Sequence, residues 1–194
     1  MKLYKALLVA IVSTNLVSAC APVVVGGTAV GVNAVHDRRT VGTYIDDEGI
    51  ELKARMTIFD NKELNSQIHI NIISINGVVL LVGQAPTEEL RMQAETITRA
   101  IPKVRLVHNE MSIAAPNSYM VRSSDSLITA KVKTSLFGIK GHEELDPSRV
   151  KVVTENGIVY LMGILSQAEA TAVTDRARQV GGVQKIVKLF EYLD

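Results

Sequence analysis

The chain has 194 residues, with 21 Lys and Arg against 20 Asp and Glu, one cysteine and no tryptophan. So balanced a charge excludes the whole-surface basic footprint that non-specific nucleic-acid binding requires. A single cysteine excludes an internal disulfide framework, so packing alone must stabilise the fold.

Lys2 and Lys5 open the chain, an apolar run follows from Ala6 to Leu16, and Val17-Ser18-Ala19 lead to the lone Cys20. A basic start, a short apolar centre and small residues at its end make an export signal, too short to cross a bilayer. The segment resembles the lipobox of bacterial lipoproteins, with Val17 where leucine is commoner. That resemblance implies removal of residues 1–19 and lipidation of Cys20: a diacylglyceryl thioether on its thiol and a third acyl chain on the new amino group. Three chains anchor a protein far better than one. An ordinary secretory signal with a coincidental cysteine, or an uncleaved buried thiol, is the alternative. Ala21, rather than Asp, resembles the sorting signal for the outer membrane's inner leaflet. Removing the two signal lysines leaves 19 basic against 20 acidic residues, a net charge of −1.

Residues 20–45 read as an acylated, flexible tether rich in Gly, Ala and Val. Gly26 and Gly31 lack the preceding strand and the Lys-Ser/Thr that a phosphate loop needs; Val32-Asn33 stands there instead. Gly27 and Gly31 match a helix-dimer spacing, yet Pro22 and Asn33 interrupt an apolar run too short to span a membrane.

An internal repeat governs the remainder. Asn76-Gly77-Val78-Val79-Leu80-Leu81-Val82-Gly83 recurs 80 residues later as Asn156-Gly157-Ile158-Val159-Tyr160-Leu161-Met162-Gly163, and the flanking segments repeat at offsets of 78 and 79. Two units follow, over 46–115 and 124–194, joined by a linker at 116–123. In each, apolar residues at helical spacing predict a first helix: Ile50, Ala54 and Ile58 within 49–59, then Ile128, Val132 and Leu136 within 126–137. Asp46-Asp47 with Glu48 is expected to favour the start of the first of these electrostatically. Alternation at Ile68, Ile70 and Ile72, and at Val150 and Val152, predicts strands that run into Asn-Gly hairpins. Return strands over 78–82 and 158–162 end at Gly83 and Gly163. Helices over 87–100 and 167–180 follow, the second opened by the capping pair Ser166 and Glu169, and Pro102 and Gly181-Gly182 stop them. Third strands over 105–113 and 184–192 close the units. Each is thus an α-β-β-α-β unit of the α+β class, two helices covering one face of a three-stranded mixed sheet whose other face stays half open. Units this small bury little, so they are expected to lean on each other.

The repeat order, the Asn-Gly hairpins and the glycines closing the second strands resemble the BON domain. Together with the lipobox, the tether, the 37–43 segment Asp-Arg-Arg-Thr-Val-Gly-Thr and Asp46-Asp47, they resemble the outer-membrane lipoproteins that carry two BON domains. The resemblance implies a non-enzymatic, periplasm-facing protein that maintains envelope integrity, binds anionic phospholipid through its second unit and gathers at the division site. It places lipid contact on the second unit's first helix. Leu127 there takes the position where relatives present tryptophan; leucine supplies apolar burial without tryptophan's polar edge.

On that helix Leu127, Lys131 and Thr134 share a stripe and Lys133 flanks it, so the lysines can meet lipid phosphates while Leu127 inserts. Packing of Leu127 against the first unit, with solvated lysines, is the other account. Residues 46–115 carry seven basic and ten acidic residues, whereas residues 116–194 carry ten and nine, so anionic headgroups repel only the first unit. Gly77 and Gly157 serve the hairpin turns. Gly83 and Gly163 are read as structural, at a bulge or where a side chain would strike the neighbouring helix.

Catalysis finds no support. His36, His69, His108 and His142 fall in separate elements, no nucleophile elbow or dinucleotide fingerprint occurs, and Glu143, Glu144 and Asp146 read as a solvated loop rather than a calcium site. No cofactor or metal is expected, and a monomer is. Three functions compete: a lipid-binding envelope lipoprotein, a scaffold whose open sheet faces and edge strands dock envelope-assembly or cell-wall-remodelling proteins, and a membrane-active protein with haemolysin-like action.

Overall fold

A computed structural model describes residues 38–142 and 144–193. The signal at 1–19, Cys20 and the tether up to residue 37 lie outside the described residues, as do His36 and Glu143.

The first unit opens with α1 (Val41–Asp60), because the Thr40 side chain accepts from the Thr43 N–H and satisfies one free donor of the first turn. The helix therefore begins within the stretch read as tether. Asp47 lies in its second turn, so its carboxylate does not serve the helix N-terminus; it is buried and turned to the hairpin. A short α2 (Lys62–Gln67), which the apolar spacing does not announce, is capped by Asn61 and pins the fully buried Leu64. Then come β1 (His69–Ile75), β2 (Val78–Ala85), α3 (Glu88–Arg99), β3 (Leu106–Asn109) and β4 (Ser112–Ile113).

The second unit starts at α4 (Tyr119–Ser135), whose N-cap Ser118 accepts from the Val121 N–H. Most of the segment read as linker is thus helix. Serines at 123, 124 and 126 gave the stretch a loop-like composition, yet they stand on the solvent side, and Ser126 Oγ bonds back to the Arg122 carbonyl at 2.9 Å. A 3₁₀ turn at Pro147–Arg149 leads to β5 (Lys151–Glu155), β6 (Ile158–Leu165), α5 (Gln167–Arg178) and β7 (Lys185–Tyr192).

Both sheets are mixed, as the α+β reading requires: β1 and β5 run antiparallel to β2 and β6, which pair in parallel with the third strands. Asn76-Gly77 and Asn156-Gly157 all have positive φ, the two-residue hairpin turn that suits twisted strands. In the second unit β7 pairs with β6 throughout. In the first, the expected third strand divides into β3 and β4 beside Gly83, whose φ of 136° kinks β2.

Strand alternation splits the apolar residues into three cores. Val79, Leu81 and Ala85 point to α1 and α3, and Val159, Leu161 and Leu165 to α4 and α5. The intervening residues, Ile75, Leu80 and Val82 with Tyr160 and Met162, form a third cluster that joins the two sheets face to face. The sheet faces expected to stay half open are therefore closed against each other, giving four layers with a helix layer on each outer side. Each fully buried Leu or Val here is worth roughly 1.5–3 kcal/mol, which a small unit forfeits if it stands alone.

Polar clasps rim this apolar centre. Glu155 accepts from Gln84 Nε2 at 2.7 Å, Asn71 Nδ2 at 3.2 Å and Asn117 Nδ2 at 3.3 Å, so a buried second-unit carboxylate is held by first-unit and linker amides. Asn76 Nδ2 donates to Glu191, and Lys151 Nζ to Glu51 at 2.6 Å.

Candidate membrane-contact site

Helix α4 buries one stripe and presents the opposite one. Ile128 and Val132 enter the second core, and the Asp125 carboxylate accepts from the Asn156 and Gly157 N–H groups at 2.8 and 2.9 Å, fastening the helix to the hairpin. Asp47 holds the first hairpin in the same way and also accepts from Ser74 Oγ and from Arg39 Nη1 at 2.5 Å. The pitch of α4 is fixed by these contacts, so its outward residues are fixed as well.

Leu127 is 60% exposed. Lys131, Lys133 and Thr134 are exposed beside it. At 100° per residue, Lys131 and Lys133 fall on opposite flanks of a face centred near Leu127 and Thr134. The Thr134 hydroxyl donates to the Ala130 carbonyl at 2.9 Å, so this residue offers its methyl outward. The same face carries Tyr119 and Met120, and Phe137 follows just past the helix; all three are between 66 and 85% exposed. Sequence reasoning passed over them because Tyr119 and Met120 lay in the presumed linker and Phe137 at the predicted helix end. Their spacing from Leu127 is the signal that would have found them once α4 is extended to its cap. The Arg122 guanidinium covers the Tyr119 ring at 4.9 Å and orients it.

The four glycines are structural. A Cβ on Gly83 would lie 2.0 Å from the His69 carbonyl oxygen and one on Gly163 2.7 Å from that of Arg149, so each would strike the backbone of the adjacent strand or the turn before it, rather than a helix. At Gly77 and Gly157 a Cβ would meet the Lys103 carbonyl and the Gln184 side chain.

His69 and Tyr160 lie at the junction between the units. His69, 3.7 Å from Glu155, is driven below its ordinary pKa chiefly by burial, against the pull of that carboxylate. Burial, with Glu110 and Glu155 nearby, raises the Tyr160 hydroxyl to about 12. Asp146 caps the 3₁₀ turn through the Ser148 N–H. Among the described residues no three of His, Cys, Asp and Glu converge as a metal site, and no helix is long and apolar enough to cross a membrane. A groove of about 630 Å³ runs between the unpaired edges of β1 and β5, rimmed by Arg55, Lys133 and Phe137.

The family model for the BON domain matches this chain twice, over residues 46–115 and 124–194. The chain is 35% identical over 190 residues to the outer membrane lipoprotein DolP of Haemophilus influenzae, covering 98% of this chain and 97% of that protein. It is 36% identical over 157 residues to a 21 kDa hemolysin of Actinobacillus pleuropneumoniae, covering 81% of this chain and 79% of that one.

Proposed function

Since the chain belongs to the BON-domain family, we propose that it is a non-enzymatic outer-membrane lipoprotein, anchored through Cys20, that maintains the envelope by holding anionic phospholipid against α4. The observation that carries this reading is the outward face of α4: Tyr119, Met120, Leu127 and Phe137 stand exposed between Lys131 and Lys133. Apolar side chains at that depth enter the headgroup boundary, while each lysine near an anionic surface adds about 1 kcal/mol. Three further exposed apolar residues, Tyr119, Met120 and Phe137, add to the apolar area that Leu127 alone would offer. The relative named as an outer membrane lipoprotein supports the address. Concentration at the division site belongs to the same reading, and a fluorescent fusion in dividing cells tests it.

Liposome flotation of the mature chain carrying Cys20→Ser, which removes any acyl contribution, tests the lipid contact. Binding that requires anionic lipid and is lost in Leu127→Glu supports it; binding indifferent to both removes it.

A scaffold role is the second reading, and the groove between the β1 and β5 edges favours it. The faces of the sheets are unavailable for that purpose because they cover each other. An extended segment of an envelope-assembly or cell-wall-remodelling protein could still add to an edge strand. Haemolysin-like action, suggested by the name of one relative, would need the purified, detergent-free protein to lyse erythrocytes.

A further inference from the structure

The first unit carries a second exposed apolar stripe, on α1. Val41, Ile45, Leu52, Met56 and Phe59 are each between 52 and 66% exposed. At 100° per residue they lie within an arc of about 60°, directly opposite the buried Ile50, Ala54 and Ile58. Scattered exposed apolar residues are ordinary, whereas five in line along one helix mark a contact surface.

The charges around the stripe select what covers it. Glu48 and Arg55 border it on one side and Asp60 and Lys53 on the other, all exposed, so its rim is charge-balanced and, in a unit with seven basic against ten acidic residues, offers an anionic lipid surface no net attraction. On one flank Glu48 and Arg55 stand seven residues apart, both exposed. Leu52 is midway between Ile45 and Phe59. Turning a copy of the chain about a two-fold axis at Leu52, perpendicular to the plane of the two helices, lays α1 antiparallel to itself. Leu52 then meets Leu52, Ile45 meets Phe59, and Glu48 meets Arg55 of the second copy twice over. A self-complementary patch of this kind is what a two-fold interface requires. Among the described residues Glu48 makes one side-chain contact, to Lys151 at 3.6 Å, and can turn to the partner.

We propose that α1 is the contact helix of an antiparallel homodimer, formed through the Val41–Phe59 stripe and registered by reciprocal Glu48–Arg55 pairs. This departs from the monomer expected from sequence and stands apart from the lipid reading: loss of vesicle binding by α4 leaves it untouched.

Leu52→Cys in the full chain, mildly oxidised in native envelopes, tests it. A disulfide-linked dimer joined at position 52 is expected, at least ten-fold above that from Thr57→Cys, which places an exposed thiol on another side of α1. Adding Arg55→Glu should drop the yield to the Thr57→Cys level, and adding Glu48→Arg to that variant should restore it. These positions are exposed, so all variants should keep the parent melting temperature. Equal linkage in Leu52→Cys and Thr57→Cys, or linkage indifferent to Arg55→Glu, overturns the dimer. A thiol at 52 shielded by anionic vesicles without dimer would make the bilayer the occupant. Shielding that disappears when residues 21–37 are deleted would make it the chain's own N-terminal segment. Either result rejects the proposal.

Discussion

Arg38 donates from both terminal guanidinium nitrogens to the Glu169 carboxylate, at 2.7 and 2.8 Å, and also to the Ile164 carbonyl. Its neighbour Arg39 instead binds Asp47 of α1. Two successive residues of the segment leading from Cys20 thus grip different units, and the N-terminal connection staples the sandwich together.

Acid should loosen this staple. Burial opposes ionisation of Glu169, but the Arg38 fork and the Ser166 N–H outweigh it and hold its pKa at about 2. A carboxyl depressed below its unfolded value of 4.5 stabilises the fold above that pH and loses its contribution as pH falls from 4.5 toward 2. Urea unfolding of the parent and of Arg38→Met should differ by about 2 kcal/mol at neutral pH. The gap should shrink below pH 4.5; a gap constant down to pH 2.5 would show that Glu169 is not the partner that matters.

The hairpin carboxylates should not weigh equally. Asp47→Ala removes the carboxylate that accepts from Arg39, the Ser74 hydroxyl and the Asn76 and Gly77 N–H groups, and should cost about 3–5 kcal/mol. Asp125→Ala removes a carboxylate for which only two backbone N–H partners are observed, and should cost about 2 kcal/mol. Chemical denaturation of both variants checks the order.

Among the glycines, Gly83→Ala combines a positive φ with a carbonyl 2.0 Å from the new Cβ, so it should cost about 3 kcal/mol or more. Gly163→Ala meets the Arg149 carbonyl at 2.7 Å with an ordinary φ and should cost about 2 kcal/mol. Gly163→Glu cannot be accommodated and should unfold the second unit and, through the shared sheet–sheet cluster, destabilise the first; an unchanged melting transition would refute the close-approach explanation.

Leu127→Glu, Lys131→Glu and Lys133→Glu should leave stability within about 0.5 kcal/mol of the parent, because all three side chains face solvent. Neutralising one of these lysines, as in Lys131→Gln, should weaken binding to anionic vesicles about five-fold, Lys131→Glu should weaken it further, and salt should reduce both differences. Flotation across a salt series measures it.

The face-to-face sheets should unfold together. Leu80→Asp places a charge in the sheet–sheet cluster and should lower the melting temperature of both units, whereas independent units would show one transition moving and one fixed. Calorimetry distinguishes them.

Much of this was legible in the chain alone. The repeat at an offset of 80, the period-two strands and the Asn-Gly turns dictated two α+β units, because alternation and turn chemistry are local properties. Leu127, Lys131, Lys133 and Thr134 are exposed on one helix because its buried stripe, Ile128 and Val132, was readable from spacing. The starts of α1 and α4 were not, since a cap is one side chain reaching one N–H, and the serines and threonines supplying it also furnish loops.

Tertiary structure alone decided what each strand's second face would meet. Val78, Leu80 and Val82 are apolar in alternation with Val79 and Leu81, and such a run states that both faces are covered without stating by what. Only the assembled sandwich shows that the cover is the other copy of the same sheet. The Glu155 amide clasp and the Arg38–Glu169 pair belong to that level too. Their partners lie 38 to 131 residues apart in sequence, and no local pattern encodes a contact at that separation.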